Sequence, residues 1–509
     1  MQILPPETDF ALRRRPAPAS EAGLARSDAA AFMIGDADPA AALAQLPHAA
    51  LWQSLYRKSG RTAAAPLLVT RLPNARHTLA AVGFVSTGAS AFERLTLAGR
   101  LMREIVKPGV ASLQCHAAAL DATASAAALE ALASAAMVHA VPMPQRKSKP
   151  TPAPNLRTID VHGGRTADLE LAAATAAGNH LARWLTTLPP NELDCVAYRR
   201  ALAQLARREG WSFRFYDERA LERLGAGAFL AVTRANAHRG AGIARLTYKP
   251  RGKRVRRRIG LVGKGICFDT GGINLKSHKG MYLMHGDMQG SAVAVGALLA
   301  LAHSGSPLEI DCWLALTENQ IGPRAYRPQE VVQAMNGVTI QVVHSDAEGR
   351  MVLADTLALA ARARPGLLLD FATLTGACVN AITDRYSGAF TNRPDLQGVL
   401  QEAGRASGER VWCFPMDEDF DAELDSRIAD VLQCAVESKG DHILAARFLG
   451  RFVPEDLPWA HMDLAASERK GGLAHVPTEF TGFGVRFATQ LLRDGALLDR
   501  LQATMEPRK

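Results

Sequence analysis

Two stretches decide how this chain folds. Residues 261–292 read LVGKGICFDTGGINLKSHKGMYLMHGDMQGSA, and residues 344–357 read HSDAEGRMVLADTL. Each follows or contains an apolar run that passes abruptly into charged residues. The first gathers Lys264, Asp269, Lys276 and Asp287 within a short length of chain. The second sets Asp346, Glu348 and Arg350 at alternate positions, which in extended backbone points all three to one side. Around them, apolar runs at 259–263, 310–316, 338–343 and 367–371 alternate with helical runs at 291–303 and 351–363. Continuous apolar strands separated by helices predict a mostly parallel sheet with helices on both faces. In such a sheet, ligands bind beyond the carboxyl ends of the strands, where these charges lie.

Working outward, a helix is expected over 166–185, stopped by Pro189-Pro190. Upstream, 63–85 reads as two short strands around a turn at Pro73-Asn74, and 91–106 and 117–138 read as helices. The stretch VPMPQRKSKPTPAPN at 141–155 has the composition of an extended linker. The expected organisation is therefore a smaller α/β domain over 1–150 followed by a large α/β domain over 151–509.

The charged residues suggest a chemistry. Four carboxylates drawn into one apolar site repel one another and stay ionised only beside positive charge. Two divalent cations supply it, since carboxylates bridge a pair of ions ~3.5–4 Å apart. A site rich in oxygen donors suits Zn²⁺, Mn²⁺ or Mg²⁺. Glycines at 263, 265, 271, 272, 286, 290 and 349 let backbone turn sharply around such a site.

The motifs VGKGICFDTGGINLK, HGDMQGSA, ENQIGPRAYRP, SDAEGRMVLADTL, DFATLTGA and WAHMDLA make the chain resemble the leucyl aminopeptidase (cytosol aminopeptidase) family over about 160–509, and PPNEL at 189–193 matches it too. The resemblance implies a di-metal exopeptidase. Lys264, Asp269, Asp287, Asp346 and Glu348 would be the metal ligands, with Asp269 and Glu348 bridging and Lys264 bound as a neutral amine. Lys276 would polarise the scissile carbonyl and stabilise the oxyanion, and Arg350 would hold a bicarbonate acting as general base. The nucleophile would be a metal-activated hydroxide. The free α-amine of the substrate would bind one metal. Met284, Thr373 and Gly376 would shape a pocket for an apolar first residue such as Leu or Met. The family also implies a homohexamer. Against its usual pattern, Tyr282, His285-Gly286 and His344-Ser345 are departures, none of them at a metal ligand.

Composition excludes several other classes. With 48% hydrophobic and 21% charged residues, the chain is an ordinary globular one. No run of ~18 apolar residues offers a membrane helix, and the first twenty residues lack the apolar core of a secretory signal. Arg13, Arg14 and Arg15 hint at a transit peptide, but Glu7 and Asp9 oppose it. Seven cysteines without a C-x-x-C pair fit a reducing cytoplasm and small core residues, Cys267 and Cys378 included. There is no H-E-x-x-H helix, phosphate loop, G-x-S-x-G elbow or G-x-G-x-x-G fingerprint. The net charge is +9, and RGKRVRRR at 251–258 is basic. A nucleic-acid-binding protein is therefore the alternative from another class, disfavoured because no aromatic is interleaved for base stacking. A catalytically silent scaffold is the third reading. Its weakness is that nothing physical would preserve mutually repelling carboxylates in a silent site.

Overall fold

The computed structural model describes residues 3–7, 10–59, 67–250, 258–437, 439–493 and 500. The chain builds two α/β layers. The first is a six-stranded sheet in the order Ala11–Arg15, Thr158–His162, Ser112–Ala118, Ala29–Gly35, Leu79–Val85, Leu68–Arg71. All its pairings are parallel except that of Leu68–Arg71, which folds back as a hairpin on Leu79–Val85. The helix Ala91–Ile105 covers one face and opens with a capping box between Ser90 and Glu93, satisfying donors that the first turn leaves free. Beside it lies Ala122–Ala140, an alanine-rich helix buried over most of its length.

The sequence expected a helix from residue 117, but residues 117–118 finish the strand Ser112–Ala118. The proline-rich stretch does not end the first layer. The chain returns after it, and Thr158–His162 inserts between Ala11–Arg15 and Ser112–Ala118. The first sheet therefore extends through residue 162, past the boundary expected near 150.

The second layer is an eight-stranded sheet in the order Val411–Cys413, Ser387–Thr391, Trp459–Asp463, Leu367–Ala372, Arg258–Asp269, Glu309–Asn319, Gly242–Tyr248, Ser212–Asp217. Its four central strands, from Trp459–Asp463 to Glu309–Asn319, are mutually parallel. They are buried almost throughout, as expected for apolar strands covered on both sides. One core packs the helices Leu169–Thr187, Cys195–Glu209, Gln289–His303 and Val485–Arg493 against one face. A second packs Gly227–Thr233, Glu348–Ala361 and Asp441–Gly450 against the other. Leu169–Thr187 and Gln289–His303 meet at Gly178 and Gly296, where a Cβ on Gly178 would sit 2.2 Å from the Gly296 carbonyl oxygen. The expected strand at 338–343 forms only as Thr339–Gln341, and in a separate three-stranded sheet with Val331–Gln333 and Val431–Leu432. No helix among the described residues is long and apolar enough to cross a membrane. Residues 251–257 of the basic run lie outside the described residues.

Candidate metal centre and cleft

Three neighbouring parallel strands end at one cleft. Arg258–Asp269 carries Lys264 and ends on Asp269. Glu309–Asn319 ends on Asn319, and Leu367–Ala372 runs into Thr373. The other residues arrive on loops and helix starts. Asp287 follows the short helix Met284–Gly286, and Glu348 opens the helix Glu348–Ala361. The cleft has a volume of about 510 Å³, and Lys264, Asp269, Lys276, Asp287, Asp346 and Glu348 all line it.

Asp269, Asp346 and Glu348 bring ligand atoms within 4.8 Å of one another. Asp287 joins them through Lys264, whose Nζ lies 2.8 Å from Asp287 Oδ1 and 3.1 Å from Glu348 Oε1. Lys276 Nζ lies 2.9 Å from Asp269 Oδ2 and 2.5 Å from Asp346 Oδ1. Each ammonium thus spans two carboxylates. Four ionised carboxylates would carry two more negative charges than the two ammonium groups offset, with Asp269, Asp287 and Glu348 buried and Asp346 partly exposed.

The titration behaviour follows from that excess. Burial disfavours the charged form of Lys264, but Asp287, Glu348 and Asp269 outweigh it, so its pKa is raised. Lys276 is raised likewise, with Asp269, Glu348 and Asp346 overcoming burial. Burial pushes the Asp287 and Asp346 carboxyls upward, and repulsion from Glu348 and Asp269 adds to it. Asp287 Oδ2 is buried with no hydrogen-bond partner, an unmet acceptor. The acidic cluster could hold divalent metal, and a lysine beside it could ligate only as a neutral amine.

Neutral groups hold the carboxylates in place. Asn319 Nδ2 donates to Asp269 Oδ1 at 2.8 Å, to the Ser345 carbonyl at 3.0 Å and to Glu348 Oε2 at 3.3 Å. Asp269 Oδ1 also accepts from Gly271 N, at a turn where Gly271 has φ +85°. Thr373 Oγ1 donates to Asp287 Oδ1 at 2.8 Å, and its carbonyl accepts from Lys264 at 3.0 Å. Gly349 leaves room for Lys264, since a Cβ there would come within 2.7 Å of its Nζ. Asp463 accepts from Leu374 N, Thr375 N and Thr375 Oγ1, fixing the loop before the helix Gly376–Ile382. The loop at 343–347 is pinned by Gln433, which accepts from Val343 N and His344 N and donates to the Ala347 carbonyl, and by the Tyr326 hydroxyl on the Ser345 carbonyl.

Met284, Thr373 and Gly376 all line the cleft, with Leu283, Leu374 and Val379 adding apolar surface. A Cβ on Gly376 would meet nothing within 4 Å, so the glycine opens space. His285 packs edge-on to Phe480, and His344 Nδ1 accepts from Asp346 N at 3.3 Å. Neither belongs to the carboxylate cluster. Cys267 and Cys378 are buried and free.

Arg350 stands apart. The expected extended segment ends at Ala347, and Glu348 and Arg350 both lie in the helix Glu348–Ala361. Two residues along a helix correspond to about 200° of rotation, so they leave opposite sides. Arg350 is 2% exposed and is not among the residues lining the cleft. Its Nη1 and Nη2 fork onto Asp441 Oδ1 and Oδ2 at 3.0 and 2.7 Å, and Nη1 also reaches the Gln433 carbonyl at 3.3 Å. Its Nε is shut away from solvent without a partner. The Asp441 carboxylate fills the Nη1/Nη2 fork, so that face of Arg350 does not fit a bound bicarbonate.

Sequence reading missed Asn319, Thr373 as a clamp on Asp287, Gln433, Asp441 and Asp463 as supports. Asn319 and Asp463 fall inside quoted motifs, at the ends of apolar strands, which was the available signal. Gln433 and Asp441 carried none.

The model of the cytosol aminopeptidase family's catalytic domain matches residues 180–489. A probable cytosol aminopeptidase of Afipia carboxidovorans is 37% identical over 340 residues, covering 66% of this chain and 67% of its own. One from Chlorobaculum tepidum is 39% identical over 315 residues, covering 61% and 62%. One from Rhodopseudomonas palustris is 39% identical over 316 residues, covering 62% of each. The match thus spans less than two thirds of the latter two relatives.

Proposed function

The chain belongs to the cytosol aminopeptidase family, and on that premise we propose that it removes the N-terminal residue of peptides, with two divalent cations held by Lys264, Asp269, Asp287, Asp346 and Glu348. The observation that carries this reading is the convergence of those five side chains on one cleft, with more negative charge than the two lysines neutralise. Bound cations supply Lewis acidity and lower the pKa of water toward neutrality. Zn²⁺ or Mn²⁺ suits the oxygen-rich donor set.

The chain's own residues do the rest. Asp269 and Glu348, joined through the Asn319 amide, would hold the cations together with Asp287 and Asp346, and Lys264 would join them as a neutral amine. Lys276 lies outside the proposed ligand set, so it keeps the proton of an ordinary lysine at neutral pH, and it lines the cleft. It donates to the scissile carbonyl and to the charge that grows on that oxygen in the transition state. Met284, Thr373, Gly376 and the nearby Leu283 and Val379 seat an apolar first side chain, Leu or Met.

The named relatives support a cytoplasmic location, and the family resemblance supports a homohexamer, which light scattering on the purified chain tests. A panel of aminoacyl-anilides, assayed with and without Zn²⁺ or Mn²⁺, tests the activity. Metal-dependent cleavage led by Leu or Met is expected, and no cleavage of any member under either metal contradicts the reading.

A further inference from the structure

Arg350 is buried on the helix that begins with Glu348, yet its cation serves none of the four cleft carboxylates directly. Its charge is spent on Asp441 in a two-pronged contact. Such a planar fork-to-fork pairing is the strongest geometry an arginine offers a carboxylate, and the same geometry would receive any small planar oxyanion.

Asp441 reaches it because of how its own helix starts. Gly440 sits in the left-handed region at φ +69°, turning the chain so that Asp441 becomes the first residue of the helix Asp441–Gly450. A carboxylate in a first helical turn also faces the positive end of the helix dipole. The Gln433 carbonyl accepts a further hydrogen bond from Nη1, so both terminal nitrogens of Arg350 are engaged and Nε, buried, is the donor left unmet.

We infer that Asp441 occupies, as part of the chain, the position at Arg350 that a free bicarbonate would need, so that this protein carries its own anion there and works without an added one. Asp441 is a positioning residue. It holds Arg350, which anchors the first turn of the helix that presents Glu348. The inference rests on the peptidase reading for its kinetic arm only.

The test has two arms. In the first, carbon-13 bicarbonate is titrated with the metal-loaded protein, and the NMR line width is followed. The wild-type protein should leave the line unchanged. Asp441→Gly, which opens the fork, should broaden it, and Asp441→Asn, which keeps the bulk, should not. In the second, turnover is measured in carbonate-free buffer and again with millimolar bicarbonate. Wild-type kcat should stay within about two-fold. Asp441→Gly should start low and rise at least roughly ten-fold, as bicarbonate takes the vacated fork and again holds Arg350 and the helix start in place. Wild-type broadening that Arg350→Met abolishes, or wild-type turnover that depends on bicarbonate, overturns the inference. Should Asp441→Gly fail to fold, the wild-type measurements decide alone. Should no form turn over substrate, the peptidase reading fails while the line widths still decide this one.

Discussion

The two sheets of this molecule share an architecture and differ at their strand ends. In the first, the parallel strands finish on Arg15, Gly35, Val85, Ala118 and His162. In the second, three adjacent central strands end at Asp269, at Asn319 and next to Thr373, while the fourth ends on Asp463, which fixes the Thr373 loop. Both layers bury apolar strands under helices, and both satisfy their backbone in the same way. Among the described residues, only the second gathers a cluster of carboxylates at the carboxyl edge. The fold supplies the edge, and a few residues at it decide whether chemistry follows.

That contrast breaks most visibly when the charged edge is damaged. Glu348→Ala should lose about 10³-fold or more in kcat together with bound metal, because one side chain serves both proposed ions. Metal content by elemental analysis, read beside kcat, checks it, and an active, fully loaded variant would contradict the bridging role. Lys276→Ala should lose ~10²–10³-fold in kcat while keeping its metals, since it is proposed to act on the substrate oxygen. A near-normal kcat removes it from the reaction.

The two layers should also answer pH in opposite directions. Burial pushes the Asp355 carboxyl up to about 7, although Phe229 N and Met335 N donate to it at 2.8 and 2.6 Å. A carboxyl whose folded pKa is raised favours the folded state in acid, and that advantage is lost as pH climbs from about 4 to 7. His116 in the first sheet is the converse. Burial, then His162, holds it down at about 3, so the unfolded chain takes up the proton first and stability is lost as pH falls below 6.5. Each effect amounts to roughly 2 kcal/mol between pH 5 and 7. Melting curves across that range should show Asp355→Asn less stable overall but with the alkaline loss flattened, and His116→Gln with the acid loss flattened. Unchanged slopes in both variants would show that neither group is titrating as described. The smallest effect belongs to His162→Ala, at an end of the first sheet, where kcat/KM should stay within about two-fold. A large loss there would mean that the first layer reaches the chemistry.

Much of this was legible in the sequence, for a physical reason. Lys264, Asp269 and Asp287 are close along the chain, and a charged residue after a continuous apolar strand has few places to go but the sheet's edge. The alternation of strands and helices gave the second layer, because period and length report burial. The misses involve pairings that periodicity does not encode. Asp441 meets Arg350 across 91 residues, and Gln433 pins a loop 86 to 90 residues away. Thr158–His162 follows a proline-rich stretch that has every mark of a linker, yet its partners lie in the first 118 residues. Asp346, Glu348 and Arg350 alternate as in a strand, but the helix starts between the first and the second, so Arg350 turns away from the cleft.

The most direct measurement is a titration of the metal-stripped protein with Zn²⁺ or Mn²⁺, followed by calorimetry in buffers of different ionisation enthalpy. Two ions per chain, bound with release of protons and lost in Glu348→Ala, are expected. Binding of no ion, or binding that neither releases protons nor depends on Glu348, would contradict a centre built from these five side chains.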